Sequence, residues 1–312
     1  HMMRGLNKWM LGHGCCIKGT ETKLEEIIDW NSPCHWDDKN GWYGVKLDHP
    51  DVQKWYDSLF ENFASWGVDF IKYDDIAYPL QVIETEMIHN ALEKCGRKMV
   101  LSLSPGEANV KDGEFYSAHA NMWRISGDFW DDWKDCLRKS FDYLAAWNER
   151  IEYPGWPDAD MIPIGWLCEK KSSRGLRPRF CRFNQEEIQS LFTLFCIARS
   201  PLILTSNLLR DEADVLHVIT QPDCLAVNQR GKHPLCLKQD GDLHIWRSAA
   251  DGNEYLALFN LSEAEQTFEV DIPQEFEGKT ALDVWNKEIY QLCHATSTFP
   301  ITAHGVVFLR IK

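Results

Sequence analysis

Basic residues are scarce beside acidic ones: 33 Lys and Arg stand against 47 Asp and Glu, a formal net charge of −14. A nucleic acid or an anionic membrane surface would be repelled by that field unless a local basic patch offset it. The densest basic stretch, Lys170, Lys171, Arg174, Arg177, Arg179 and Arg182, is broken by Ser, Gly and Pro and reads as a solvated loop. Neither nucleic acid nor membrane is therefore expected as a partner. No apolar run reaches eighteen residues, so no helical membrane span is expected either.

Order among the cysteines is also lacking. The eleven are odd in number and scattered, with no CxxC pair and no HxxxH motif beside Cys15-Cys16 or Cys34-His35. That pattern fits reduced thiols better than a disulfide framework, and it implies no metal and no organic cofactor. A reducing compartment follows, so a cytoplasmic location is expected. His1-Met2 ahead of Met3 reads as a cloning remnant, and any signal peptide upstream of Met3 would lie outside this sequence.

What is present is an ordinary globular composition, 44% hydrophobic and 26% charged over 312 residues, enough for one large domain and a smaller second one. Apolar positions recur at helical spacing through DVQKWYDSLFENFASWG, with Asp51 and Gly67 at its ends. VDFIKYDD (68–75) follows as a short apolar run that turns polar at its end, the form of a buried parallel strand that delivers side chains to a site. Residues 82–95 and 130–147 read as helices, and MVLSLS (99–104), ANMWRIS (120–126), MIPIG (161–165) and SPLILTS (200–206) as strands. EEIQSLFTLFCIA (186–198) is the helix between the last two. Such alternation predicts βα units around a parallel sheet, a (β/α) barrel.

After Asn228-Gln229 the pattern changes to short runs of period two: LHIWRS, EYLALFNL, TFEVDI, ALDVWN and GVVFLRI, with Gly, Asn, Asp and Pro between them. This predicts an antiparallel β domain. Neither an internal repeat nor a low-complexity segment is visible.

Carboxylates at strand ends carry the strongest chemical signal, because in a parallel barrel those ends converge on the active site. Asp74 ends one strand and Asp128 lies just past another, each with a basic residue before it, Lys72 and Arg124. A facing pair of carboxylates is what glycosidic cleavage needs, one attacking the anomeric carbon and one protonating the leaving oxygen. Spacing alone leaves a structural reading open: Asp74-Asp75 could open a turn, and Asp128 could cap the next helix with Asp131 at its third position.

The ordered set WGVDFIKYDD, WRISGDFWDDW, WPDADMIPIG, IARSPLILTSNL and LAVNQ resembles glycoside hydrolase family 27, the α-galactosidase and α-N-acetylgalactosaminidase family, across roughly residues 60–230. The resemblance implies a nucleophile at Asp74, an acid/base at Asp128, and sugar ligands at Lys72 and Arg124. It also implies double displacement through a covalent glycosyl-enzyme, with a carboxylate spacing of about 5–5.5 Å. Ser104, Asp75 and Trp123 are expected to join as substrate contacts, with Trp130 beside the acid. By the same resemblance Asp158 and Asp160, in the tryptophan-proline-aspartate motif, are expected to line the mouth or shape a strand.

Two departures from the family's pattern matter. Pro105 in SLSPGEA falls where a glutamate reads the sugar 2-hydroxyl, and Glu107 comes two residues later. Galactose, N-acetylgalactosamine, L-arabinopyranose and glucose-type sugars therefore all stay open. The chain also starts near the end of the family's third strand, and only five barrel strands are legible. The expectation is an α/β chain: a (β/α)8 TIM-type barrel incomplete at its N-terminus over 1–228, then a C-terminal antiparallel β-sandwich over 229–312. Residues 1–50, or a second copy of the chain as a homodimer, are expected to cover the open side. An oligosaccharide or small glycoside is the expected substrate. The rivals are a carbohydrate-binding fragment without turnover, and a barrel lyase or aldolase using Lys72 as a Schiff base, which the carboxylate of Asp74 on the same strand face disfavours.

Overall fold

A computed structural model of the chain describes residues 1–36, 40–148, 155–171, 177–210, 213–292 and 296–312. Two compact units make up the chain: His1–Gly127 with Tyr153–Asp158, and Asp128–Glu152 with Ala159–Lys312.

The first unit is built on a five-stranded parallel sheet. Its strands are β1 (Met2–Met3), β5 (Phe70–Asp74), β6 (Val100–Leu103), β7 (Met122–Arg124) and β8 (Trp156–Asp158), side by side in that order. Between β1 and β5 the chain makes an excursion. A short helix α1 (Leu24–Ile27) precedes an antiparallel sheet of β2 (Leu6–Asn7), β3 (Ile28–Pro33) and β4 (Trp42–Val45), ordered β2-β4-β3. Helix α2 (Val52–Ser65) then leads into β5, α3 (Val82–Lys94) into β6 and α4 (Gly113–His119) into β7.

The sequence dictates these elements locally. Val52, Trp55, Tyr56, Phe60 and Phe63 form the buried stripe of α2. Burial of one such side chain is worth roughly 1.5–3 kcal/mol. Gly67, at φ +74°, ends the helix where a side chain would be strained. Asp51 does not cap α2 with its carboxylate; that group takes Thr22 Oγ1 at 2.6 Å and Lys54 Nζ at 2.8 Å instead.

Residues 1–50, which show no βα rhythm in the sequence, thus contribute one strand to the parallel sheet and a separate antiparallel sheet. Met2 and Met3 pair in register with Tyr73 and Asp74, so the first residues of the chain are part of the sheet.

The second unit carries helix α5 (Arg138–Trp147), the parallel pair β9 (Met161–Ile162) and β12 (Ile203–Leu204), and the antiparallel pair β10 (Trp166–Leu167) and β11 (Arg179–Phe180). Helices α6 (Gln185–Ile197), α7 (Ala213–Ile219) and α8 (Pro222–Arg230) complete its helical part. Helix α6 starts with a capping box: Glu187 N–H donates to Asn184 Oδ1 at 2.9 Å, and Asn184 N–H to Glu187 Oε2 at 3.0 Å.

An antiparallel β-sandwich follows. One layer runs β13 (Lys232–Asp240), β14 (Leu243–Ala250), β15 (Asn253–Asn260), β20 (Val306–Ile311), β17 (Thr280–Asp283), β18 (Ile289–Gln291). The other pairs β16 (Gln266–Asp271) with β19 (Thr296–Ile301). Ile245, Leu256, Leu258, Phe299 and Leu309 lie in the core between them. Among the described residues the parallel strands do not close into a ring of eight. The fold is thus of the (β/α) barrel type, left open, with a C-terminal antiparallel sandwich.

Candidate active site

Strand β5 sets the site in the first unit. Tyr73 stacks on Phe60 of α2 at 6.1 Å, so this side chain faces the helices. Side chains alternate along a strand, which puts Lys72 and Asp74 on the other face. Parallel register pairs Lys72 with Ser102 and Arg124 with Asp158, so the same face carries Ser102, Ser104, Arg124 and Asp158. Trp123 falls out of phase with this set. It is fully buried on the helix side, stacked on Tyr116 of α4 at 5.7 Å.

Asp74, Arg124 and Ser104 are held by the bonds around them. Asp74 is buried, with Oδ1 accepting the Asp75 amide at 3.0 Å and His1 Nε2 at 3.1 Å from Oδ2. Arg124, also buried, donates from Nη2 to the carbonyls of Ser126 at 3.2 Å and Gly127 at 2.6 Å. The guanidinium thus chelates the turn that leads towards Asp128. Ser104 knits the loops: its carbonyl accepts the amides of Ile76 and Ala77 at 3.0 and 3.2 Å. The SPGEA loop lies against the end of β7, where a Cβ on Gly106 would stand 1.9 Å from the Ser126 carbonyl oxygen.

Asp75 sits in a buried charge network. Arg4 Nε donates to Asp75 Oδ2 at 2.8 Å and Nη1 to Glu84 Oε2 at 3.0 Å. Tyr56 O–H donates to Glu84 Oε1 at 2.5 Å, and the amide of His35 to Asp75 Oδ1 at 3.1 Å, with His35 Nδ1 2.7 Å from the same oxygen. Burial pushes the Glu84 carboxyl up, against the pull of Arg4 and Tyr56. Burial opposes the charge of Arg4, but Glu84 and Asp75 outweigh it and raise its pKa. Gly44 makes room for the guanidinium, since a Cβ there would meet Arg4 Nη1 at 2.2 Å.

In the second unit Asp128 is exposed at the head of a tightly anchored loop. The amide of Phe129 donates to Asp160 Oδ2 at 2.9 Å, and the Phe129 ring packs on Phe195 at 5.5 Å. Trp130, half-buried, has its amide 3.3 Å from Cys136 Sγ. Asp131 is buried and accepts from both terminal nitrogens of Arg179 and from the Arg182 amide at 2.7 Å. The cap of the next helical segment, a π-helical turn Trp133–Leu137, is Asp132, which accepts the Asp135 amide at 2.7 Å. The N-cap role open to Asp128 in the sequence therefore belongs to Asp132. Arg179, read from sequence as part of a solvated loop, is instead the partner of Asp131, while Arg174 lies outside the described residues.

Sequence reasoning missed Arg4, His35, Tyr56 and Glu84, and the anchoring of Asp131 and Asp160. One signal was readable: period two already places Trp123 opposite Arg124.

A parallel sheet with Lys72 and Asp74 at a strand end, ahead of an antiparallel sandwich, is the layout of a sugar-cleaving barrel family. Residues 43–230 match the family model described as alpha galactosidase A, and 240–311 that of the alpha galactosidase C-terminal beta sandwich domain. The chain belongs to glycoside hydrolase family 27, the α-galactosidase family. It is similar to a family 27 β-L-arabinopyranosidase of Geobacillus stearothermophilus, with 34% identity and a TM-score of 0.92, covering 99% of this chain and 72% of that one. Alpha-galactosidase A of Cellvibrio japonicus is 28% identical over 285 residues, 80% of this chain and 65% of that protein. Alpha-galactosidase 2 of Arabidopsis thaliana is 28% identical over 205 residues, 60% of this chain. The chain spans 44% of the length of that plant protein.

Proposed function

We propose that the chain carries the catalytic machinery of a retaining exo-glycosidase that removes terminal α-D-galactoside-like residues. The observation that carries this reading is the placement of Lys72 and Asp74 on one face at the C-terminal end of β5, with one Asp74 oxygen fixed by an amide. In the first step an Asp74 carboxylate oxygen attacks the anomeric carbon, the glycosidic C–O bond breaks, and Asp128 gives its proton to the leaving oxygen. In the second, Asp128 takes a proton from water, the water oxygen attacks the anomeric carbon, and the bond to Asp74 breaks. Lys72, Arg124 and Ser104 are the sugar ligands in this reading. Trp123, buried on the helix side, serves it through packing.

A second specificity is favoured by one observation, the 34% identity to a β-L-arabinopyranosidase along 99% of this chain. A β-L-arabinopyranoside has the ring stereochemistry of an α-D-galactoside without the C6 hydroxymethyl group. Residues 1–228 are the proposed catalytic domain and 229–312 the proposed sandwich domain. No described helix is long and apolar enough to cross a membrane. We assign the protein to the cytoplasm on its eleven scattered cysteines, and propose a homodimer on the exposed Phe70 and Val100.

Parallel assays on nitrophenyl α-D-galactopyranoside and β-L-arabinopyranoside, with the first-formed anomer read by NMR, test the reading. Turnover with retained configuration is expected. An inverted product sinks the double displacement. Sugar binding in calorimetry without turnover would make the chain a carbohydrate-binding fragment.

A further inference from the structure

The residue after the proposed nucleophile has an unusual backbone. Asp75 adopts φ +60°, a left-handed conformation that a side chain adopts only at a cost. Such strain persists where the surroundings over-determine it. Here they do, since both carboxylate oxygens of Asp75 are engaged: Oδ2 by Arg4 Nε, Oδ1 by the amide of His35 and its Nδ1. Arg4 is itself tied to Glu84 on α3 and to Ser32 on β3, and Glu84 to Tyr56 on α2. Arg4, Tyr56, Asp75 and Glu84 are all at most 3% exposed.

In the same turn the amide of residue 75 donates to Oδ1 of Asp74 at 3.0 Å, and the residue that carries this N–H is anchored by Arg4 and His35. One oxygen of the nucleophile is thereby fixed, and Oδ2, which lies 3.1 Å from Nε2 of the terminal His1, is the oxygen assigned to attack. A buried ion pair is weak evidence for stability, because desolvation cancels much of the attraction. Its value here lies in holding a reactive group within the narrow tolerance that catalysis needs.

We propose that Asp75 is a positioning residue and not a sugar ligand: with Arg4, Glu84 and His35 it locks the backbone turn that orients the Asp74 carboxylate. This rests on the reading of Asp74 as nucleophile. Buried acids and bases beneath the site are therefore part of its geometry, although none of them touches the sugar.

The test compares Asp75→Gly with Asp75→Ala in the full chain. Glycine takes positive φ freely and alanine does not, while both lose the carboxylate. Positioning predicts that Asp75→Ala loses about 100-fold in kcat with KM within about threefold. Asp75→Gly should recover at least about fivefold of that loss, because the turn survives without its anchor. Glu84→Gln should lower kcat in the same way, by about tenfold. A direct sugar ligand predicts equal damage in the glycine and alanine variants and a KM raised tenfold or more, and that result overturns the proposal. Crystal structures of the two variants give a readout independent of turnover. The residue 75 amide should stay on Asp74 Oδ1 in the glycine variant and leave it in the alanine variant, and an amide that stays in both overturns the proposal. A wild-type protein that cleaves no glycoside would sink the nucleophile reading, with the structural comparison still deciding the turn.

Discussion

Arg179 grips Asp131 with both terminal nitrogens, three residues beyond Asp128, and the Arg182 amide closes the same carboxylate from another side. The Asp131 carboxylate, through its hydrogen bonds, raises the pKa of Arg179. Together with the Phe129 amide on Asp160, this pins the loop on which the proposed acid sits.

Removing that grip leaves a buried carboxylate without its cation. Arg179→Ala should destabilise the fold by about 2 kcal/mol, less than the ~3–5 of a fully buried pair because Arg179 is partly exposed. Denaturant unfolding of the variant measures this. A change within about 0.5 kcal/mol would show that water replaces the guanidinium at no cost.

Asp74→Asn should lower turnover by about 10³-fold or more, roughly 4 kcal/mol of barrier. Asp75→Asn should cost much less. If the second substitution proves the more damaging in steady-state assays, the nucleophile has been assigned one residue too early.

Asp128→Ala should spare substrates with good leaving groups. An activated nitrophenyl glycoside should lose about 10²-fold less in kcat/KM than an alkyl glycoside, since only the latter needs a proton on departure. Equal losses on the two would leave Asp128 with a structural role.

His244 of β14 supplies a pH prediction. It is buried edge-on to Phe141, and burial, helped by Arg138, pushes its pKa down to about 4 from 6.5. The folded chain prefers the neutral ring, so the unfolded chain takes up the proton first. The contribution of His244 to stability is full above about pH 6.5 and is lost as pH falls through about 4. Urea titrations between pH 7 and pH 4.5 should show a flatter dependence for His244→Leu than for wild type. Identical curves would place the acid sensitivity elsewhere.

Helix α2, strand β5 and the sandwich strands were legible because their apolar spacing follows burial: Phe60 and Tyr73 are stripe positions and stack on one another. Asp74 and Lys72 were legible for the same reason, being two apart on a strand with one buried face. Arg4 was not, because β1 is two residues long and carries no periodicity. Glu84 and Tyr56 read as ordinary helix positions until Arg4 reaches Glu84 across 80 residues of chain and Tyr56 reaches the same carboxylate across 28. The edge strand β13 also escaped notice, since its residues are mostly exposed and do not alternate cleanly.

The bare backbone at Gly44 has a consequence for how this family member can vary. With a methyl carbon there standing 2.2 Å from Arg4 Nη1, the smallest possible side chain would force the guanidinium to shift from its place between Asp75 and Glu84. Position 44, on a different sheet from Asp74, thus bears on the proposed nucleophile through Arg4 and Asp75. Swapping residues 5–50 for those of another family member should therefore disturb the turn at Asp74 and Asp75 unless a glycine is kept at that spot.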